Sequence, residues 1–284
     1  MGIDDAWILT LNAGSSSLKF AAYSAATDQL ITAAQIAAIG PDARLNSTPV
    51  DAFDHQQAIR VALDWLANTE LLGHPKIAVH RIVHGCELRV PVAVSPKVLR
   101  QIEDASALAP LHNPPALNVV NALAELFPDL KQIACFDTAF HADNPPEATT
   151  LPLPQHLRDK GIRRYGFHGL SYASLVRRFS HVTTATLPRR VLALHLGAGA
   201  SLAAIVNGKS VATTMGFSPM DGLVMATRAG AMDSGVLLHL MRAEGMGVDD
   251  LDELLNRESG LKALSGGNAD MKSLLQSKSP EAKF

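Results

Sequence analysis

Two short segments rich in Gly and Ser stand out first. These are Asn12-Ala13-Gly14-Ser15-Ser16-Ser17 and Gly197-Ala198-Gly199-Ala200-Ser201. Such segments bring backbone N–H groups and hydroxyls close to an anion, because no bulky side chain intervenes. Lys19, just past the first, adds a cation. Neither segment fits the G-x-x-x-x-G-K-[ST] pattern, and no G-x-G-x-x-G opens a helix, so those two mononucleotide folds are disfavoured. A plain hairpin turn is the alternative for each. Arg81 and Arg228 each sit among apolar or small residues, where a guanidinium fork suits a carboxylate or phosphate; a structural ion pair is the other reading. Asp137 ends an apolar run and could hold a cation, orient a nucleophile or cap the next turn.

The histidines His80, His84, His112, His141, His168 and His195 fall at or near apparent strand ends or in loops. His80-x-x-x-His84 has the spacing of a zinc pair, but it lies at a strand end and lacks the H-E-x-x-H glutamate. Hydrogen bonding across buried turns is the plainer reading, and stabilisation of developing charge by one or two imidazoles the sharper one.

These residues need elements to position them. Ile8-Leu9-Thr10-Leu11 reads as a strand, and Leu18 to Tyr23 as its return, which makes a hairpin around the first loop. Residues 55–72 have the spacing of an amphipathic helix (Ala58, Val61, Ala62, Trp65, Leu66, Leu72), and Lys76 to Val83 that of a buried strand. Ser95-Pro96 starts a helix, and Ile133 to Asp137 is a strand carrying an acid at its end. The Pro-rich stretch from Asn144 to Pro154 is the hinge candidate, placing one domain at 1–147 and a second at 148–284. Val191 to Leu196 and Leu202 to Val206 flank the second loop, with Asn207-Gly208 as a tight turn. Helices follow at Val248–Leu255 and Asp270–Leu275, and Pro280 to Phe284 reads as a helix just beginning. Strand, small-residue loop, strand thus occurs twice, which suggests two related α/β domains facing each other across a cleft.

Composition bounds the chemistry. Hydrophobic residues make up 47% of the 284 and charged residues 18%, as in a globular protein. A net charge of −2 offers no global field for nucleic acid or an anionic membrane, so an anionic substrate must be held by local donors. No run approaches the roughly 20 apolar residues of a membrane span. The acidic start Met1-Gly2-Ile3-Asp4-Asp5 lacks the basic region of a secretory signal, and Cys86 and Cys135 form no disulfide or zinc framework. The expected setting is the cytoplasm.

Several segments together resemble the signatures of the acetate kinase family. They are Leu11 to Phe20, His80-Arg81-Ile82-Val83-His84-Gly85, Ala109-Pro110-Leu111-His112-Asn113-Pro114 and Phe136-Asp137-Thr138-Ala139-Phe140-His141. Tyr165-Gly166-Phe167-His168-Gly169, His195 to Ser201, Thr214-Met215-Gly216-Phe217-Ser218-Pro219 and Ser259-Gly260-Leu261 continue the series in order. The resemblance implies two duplicated ribonuclease-H-like α/β domains of the sugar kinase, actin and heat-shock-chaperone superfamily. It implies reversible, ATP-dependent phosphorylation of acetate, with propionate as a second substrate and Mg²⁺ (or Mn²⁺) as cofactor. By the same resemblance Asp137, His168 and Arg228 are catalytic, while Arg81, Val83, Leu111, His112, Phe167 and Pro219 bind the carboxylate and its methyl end. Ser17, Lys19, His195, Leu196, Gly197, Ala198, Gly199, Asp270, Met271 and Lys272 handle ATP, and Asn12 serves the metal.

The match is not uniform. Ala198 stands where the family usually has Asn, Cys86 where it has Gly, Tyr172 where it has His, and Lys272 where it has Arg. Ala226, Ala229, Ala231 and Ser234 also depart from the pattern around Arg228. Family members continue beyond residue 284, so the second domain is expected to be incomplete, with apolar faces uncovered. A catalytically inactive remnant that binds nucleotide or a partner is the competing expectation. The family's homodimer is expected to be weakened with it.

Overall fold

The structure, a computed structural model, describes residues 6–69, 71 and 73–283. The chain divides into two units, Met1–Ala139 and Phe140–Phe284, so the division precedes the Pro-rich stretch taken above as the hinge. That stretch carries two single-turn helices, α4 (Pro146–Thr149) and α5 (Gln155–Arg158), each entered through a proline.

The first unit is built on a mixed sheet of eight strands. They are β1 (Trp7–Gly14), β2 (Ser17–Ser24), β3 (Leu30–Ala37), β4 (Arg44–Leu45), β5 (Thr48–Pro49), β6 (Ile77–Ile82), β7 (Val92–Ala93) and β8 (Lys131–Phe136). Their order is β5-β4-β3-β2-β1-β6-β8-β7. The β1–β2–β3 meander is antiparallel, and β1, β6 and β8 run parallel, each crossover carrying helix. Three helices, α1 (His55–Ala67), α2 (Pro96–Ala105) and α3 (Asn113–Leu126), complete the unit, α1 and α2 each packing against α3.

Alternation along β1 explains its place. Trp7, Leu9, Leu11 and Ala13 are buried while Ile8, Thr10, Asn12 and Gly14 on the other face are only partly so. In α1 the buried set Ala58, Ile59, Ala62 and Leu66 recurs at helical spacing. Burying each such Leu or Ile contributes about 2 kcal/mol. Helix α1 stops at Ala67 rather than running to residue 72. Asn68 and Thr69 explain this: Asn68 Nδ2 donates to the Asp64 carbonyl and Thr69 Oγ1 to the Leu66 carbonyl, which satisfies the last turn. Leu72 itself lies outside the described residues.

The second unit repeats the opening motif. Strands β9 (Arg190–Leu196), β10 (Ala200–Val206) and β11 (Lys209–Thr213) form an antiparallel meander in the order β11-β10-β9. Asn207 and Gly208 take positive φ of 50° and 77°, as a tight primed turn requires. Helix α6 (Gly169–Thr183) covers one face, where Tyr172, Leu175 and Val176 pack with Ala193, Ala203 and Ile205. Among the described residues β9 pairs with β10 alone.

After an irregular stretch over residues 214–233 come the helices α7 (Ser234–Ala243), α8 (Val248–Glu253), α9 (Gly260–Leu264), α10 (Met271–Gln276) and α11 (Pro280–Lys283). Where a helix was expected to run to Leu255, α8 gives way to a π turn over Leu254–Glu258. No helix among the described residues is long and apolar enough to cross a membrane.

Candidate functional site

In the first unit, the carboxyl ends of three neighbouring strands gather the chemistry. Asn12 lies near the end of β1, Arg81 near the end of β6, and Asp137 directly after β8, held by its N–H to the Ile82 carbonyl. Ligands in open α/β sheets are bound at this end of the strands. Arg81 Nη1 donates to Asn12 Oδ1 at 3.0 Å, and its Nε and Nη2 grip the Asp137 carboxylate at 3.1 and 2.5 Å.

The Asp137 side chain is buried at 2% exposure, whereas Arg81 keeps about a third of its side chain open. Burial works against the Arg81 charge, but the facing Asp137 carboxylate and its hydrogen bonds outweigh it and raise the guanidinium above its usual value. The sequence allowed Arg81 either an ion pair or an anion role; the structure contains the ion pair and leaves the fork partly accessible.

Lys19, exposed on β2, stands directly opposite Asn12. Ser17 pairs with Gly14 across the two-residue turn Ser15-Ser16, whose side chains are exposed. Val83 is buried just after β6, Leu111 and His112 are half-buried, and His112 stands at the N-terminus of α3.

The spacing of His80 and His84 belongs to a buried hydrogen-bond network. His80 bonds Gln132 at 2.7 Å, and burial pushes its imidazole down to about 4 despite that bond. His84 Nδ1 accepts from the Cys86 N–H, while Asn113 spans the His84 backbone, accepting from its N–H and donating to its carbonyl. Asn113, fully buried beneath this turn, was not singled out from sequence; its position between a turn and two prolines was the available signal. Cys86 holds φ of 49°, the left-handed region that favours glycine, the residue expected there.

The second unit places its site around the β9–β10 loop. His168, in the left-handed region with φ of 60°, is the N-cap of α6 and stacks on His195 with centroids 4.0 Å apart. Such a strained non-glycine residue persists only where the surroundings hold it. Ser201 Oγ sits 2.8 Å from His168 Nδ1, and Ser171 Oγ 3.0 Å from His195 Nδ1. Gly199 leaves a space that a side chain would fill: a Cβ there would stand 3.3 Å from His168 Nε2 and 3.6 Å from Arg228 Nη1. His168 and Arg228 therefore converge on one small volume beside the loop.

Arg228 is set by a web of backbone bonds. Met225 N–H donates to the Arg228 carbonyl, Leu261 N–H to Met225, Ser259 N–H to Thr227 and Ala226 N–H to Ala198. Gly260, with φ of 67°, faces the Met225 and Arg228 backbones where any Cβ would collide, which gives Ser259-Gly260-Leu261 a physical task. Arg228 Nη1 donates to the Pro219 carbonyl at 3.1 Å, and burial depresses its guanidinium below the ordinary value.

The remaining expected site residues spread more widely. In the loop, Gly197 N–H is bonded to the Gly199 carbonyl, and the Ala198 carbonyl accepts from Ala226 N–H. Leu196 is 71% exposed. Phe167 is fully buried, its carbonyl bonded to His141. Asp270 is the N-cap of α10, its carboxylate bonded to Lys272 N–H and to Ser273; the Ser273 bonds hold it below the usual carboxylate range. Met271 and Lys272 are exposed beside it.

Among the described residues no group of three or more His, Cys, Asp and Glu could hold a metal ion by itself. Asp137 and Asn12 supply one carboxylate and one carboxamide oxygen of the kind a hard cation takes, and both side chains are turned to the Arg81 guanidinium.

Known proteins resemble this chain over nearly its whole length. The sequence profile of the Acetokinase family matches residues 7–283. An acetate kinase of Rhodopseudomonas palustris (strain TIE-1) is 44% identical over 292 aligned positions, covering 97% of this chain and 73% of that protein. One from Methylocella silvestris is 39% identical, covering 97% and 74%. Among solved structures, a propionate kinase from Francisella tularensis superposes with a TM-score of 0.91 at 31% identity, and Porphyromonas gingivalis acetate kinase with 0.84 at 31%. Each superposition covers 98% of this chain and 75% of the other. The chain spans about three quarters of the length of these relatives, and its fold is that of the sugar kinase and actin superfamily. The chain is therefore a member of the acetokinase family of phosphotransferases.

Proposed function

We propose that this protein catalyses reversible phosphoryl transfer between ATP and acetate, with propionate as a second substrate. The observation that carries the reading is the convergence of His168 Nε2 and Arg228 Nη1 beside Gly199, in a chain of this family. Phosphoryl transfer asks little covalent chemistry of a protein; it asks for in-line positioning and neutralisation of charge. In this reading the carboxylate oxygen attacks the γ-phosphorus, the bond to the β-phosphate oxygen breaks, and ADP leaves.

The Arg81 fork orients the carboxylate. His168 and Arg228 face the oxygens of the transferring group. The amides of residues 198 and 199, with Ser17 and Lys19, serve the nucleotide phosphates. A divalent cation, Mg²⁺ or Mn²⁺, would be held by Asn12 with Asp137 beside it and would supply further charge neutralisation. Val83, Leu111, His112, Phe167 and Pro219 are proposed for the acyl end. Such a pocket separates acetate from propionate by about 1–3 kcal/mol for the extra methylene. Asp270, Met271 and Lys272 are proposed for the adenosine. With Cys86 and Cys135 its only cysteines, the chain suits a reducing cytoplasm.

The test is ADP release from ATP that depends on acetate and divalent cation. Arg81→Lys and Arg228→Lys keep the charge but lose the fork, so each is expected to lower kcat/KM by about 10³-fold. Retained ATP binding with no acetate-dependent turnover in the unaltered chain overturns the proposal.

A further inference from the structure

His168 belongs to a chain of hydroxyls whose protons can be counted. The Tyr172 hydroxyl lies 2.8 Å from the Ser201 carbonyl and 2.6 Å from Ser201 Oγ, and Ser201 Oγ lies 2.8 Å from His168 Nδ1. Tyr172 is 1% exposed and Ser201 fully buried. A carbonyl can only accept, so the single phenolic proton points to the Ser201 carbonyl. Placing it on Ser201 Oγ instead would leave two lone-pair oxygens facing each other at 2.8 Å. The 2.6 Å contact between the two hydroxyls is then bridged by the serine proton. Ser201 is left with only lone pairs to offer His168, and the proton between them must sit on Nδ1.

The phenol is a dependable donor. Burial raises it above its ordinary value, partly offset by its bonds to the Ser201 side chain and the His195 backbone.

We propose that Tyr172 and Ser201 are positioning residues that hold His168 in the Nδ1-protonated tautomer, so that Nε2 donates to a phosphoryl oxygen only when the ring is the imidazolium. The neutral ring presents a lone pair at Nε2, which repels that oxygen. This deepens the phosphotransferase reading above and rests on it for its catalytic consequence. The stacked His195 ring, the Arg228 guanidinium across Gly199 and the Tyr172–Ser201 pair are among the groups facing His168. Turnover therefore falls as pH rises through the His168 titration. Removing the phenolic oxygen frees the Ser201 proton to donate to Nδ1, which moves the ring proton to Nε2 and restores a neutral donor.

The experiment is ¹⁵N NMR of histidine-labelled full chain across pH, with His168→Gln to assign the signal, alongside acetate-dependent turnover. Above its titration midpoint, His168 is expected to show protonated Nδ1 in the unaltered chain and protonated Nε2 in Tyr172→Phe. Ser201→Ala, a second small change, is expected to abolish the Nδ1 preference. At a pH where unaltered turnover has dropped about tenfold on its alkaline limb, Tyr172→Phe is expected to keep most of its own. Protonated Nε2 in the unaltered chain, or the same tautomer in all three, overturns the proposal. A tautomer switch without acetate-dependent ADP release in the unaltered chain supports the relay and defeats the kinase reading instead.

Discussion

The two small-residue hairpins of this protein are alike in sequence and unlike in surroundings. Leu9 and Leu11 of β1 are buried at 0% and 4% exposure, whereas Leu192, Leu194 and Leu196 of β9 stand at 62%, 51% and 71%. Strand β1 has a parallel neighbour, β6, on its second edge, and its leucines join the core that α1 and α3 complete. Strand β9 pairs with β10 alone among the described residues, and α6 covers only the face of Ala193. The same local pattern makes a core strand in one unit and an exposed apolar face in the other. A strand forms from its own alternation, but its burial is decided by the elements packed around it.

The two arginines differ in parallel. Arg81 faces a buried carboxylate that stabilises its charge, while burial depresses Arg228 beside the Pro219 carbonyl. The first unit thus holds a guanidinium whose charge a carboxylate stabilises, and the second one whose charge burial penalises.

The contrast between the hairpins can be broken by mutation. Leu9→Ala is expected to cost about 3 kcal/mol in urea unfolding, as a fully buried leucine does, and Leu194→Ala no more than about 0.5 kcal/mol. Equal losses would mean that something covers the β9 face in solution.

The buried network of the first unit predicts an acid limb. The His80 imidazole falls from 6.5 to about 4 on folding, so below 6.5 the unfolded chain binds the proton that the folded chain refuses. Stability is full above pH 6.5 and declines as pH falls to about 4, by a total on the order of 3 kcal/mol. Unfolding midpoints measured across that range should show the slope, and His80→Asn, weaker throughout, should lack its share of it.

A smaller effect, about 1 kcal/mol, is expected for Asp54→Ala, whose carboxylate accepts from the Gln57 N–H and caps α1. In the second unit, Gly199→Ala should leave stability within about 0.5 kcal/mol yet impair phosphoryl transfer, because its methyl group enters the space between His168 and Arg228. Unimpaired turnover in that variant would remove the space from the proposed site.

Much of the fold is legible in the sequence. Both hairpins, the strand ending at Asp137, the proline-led start of α2 and the Asn207-Gly208 turn follow from alternation, capping and turn chemistry, which act over a few residues. The pairing of Arg81 with Asp137, 56 residues away, was left open, because adjacency of β6 and β8 is a property of the sheet. Asn113 beneath His84, and Tyr172 and Ser201 behind His168, were equally invisible as partners. The resemblance makes Asp270 an expected nucleotide contact, and the structure adds that its carboxylate caps α10.

What the sequence by itself determined is therefore the alphabet of strands, loops and chemically able residues, together with the family that their order identifies. The tertiary structure alone decided which carboxylate compensates which guanidinium, which apolar face is buried and which hydroxyls line up behind His168. Those outcomes depend on distances between segments far apart in the chain, and no local preference encodes them.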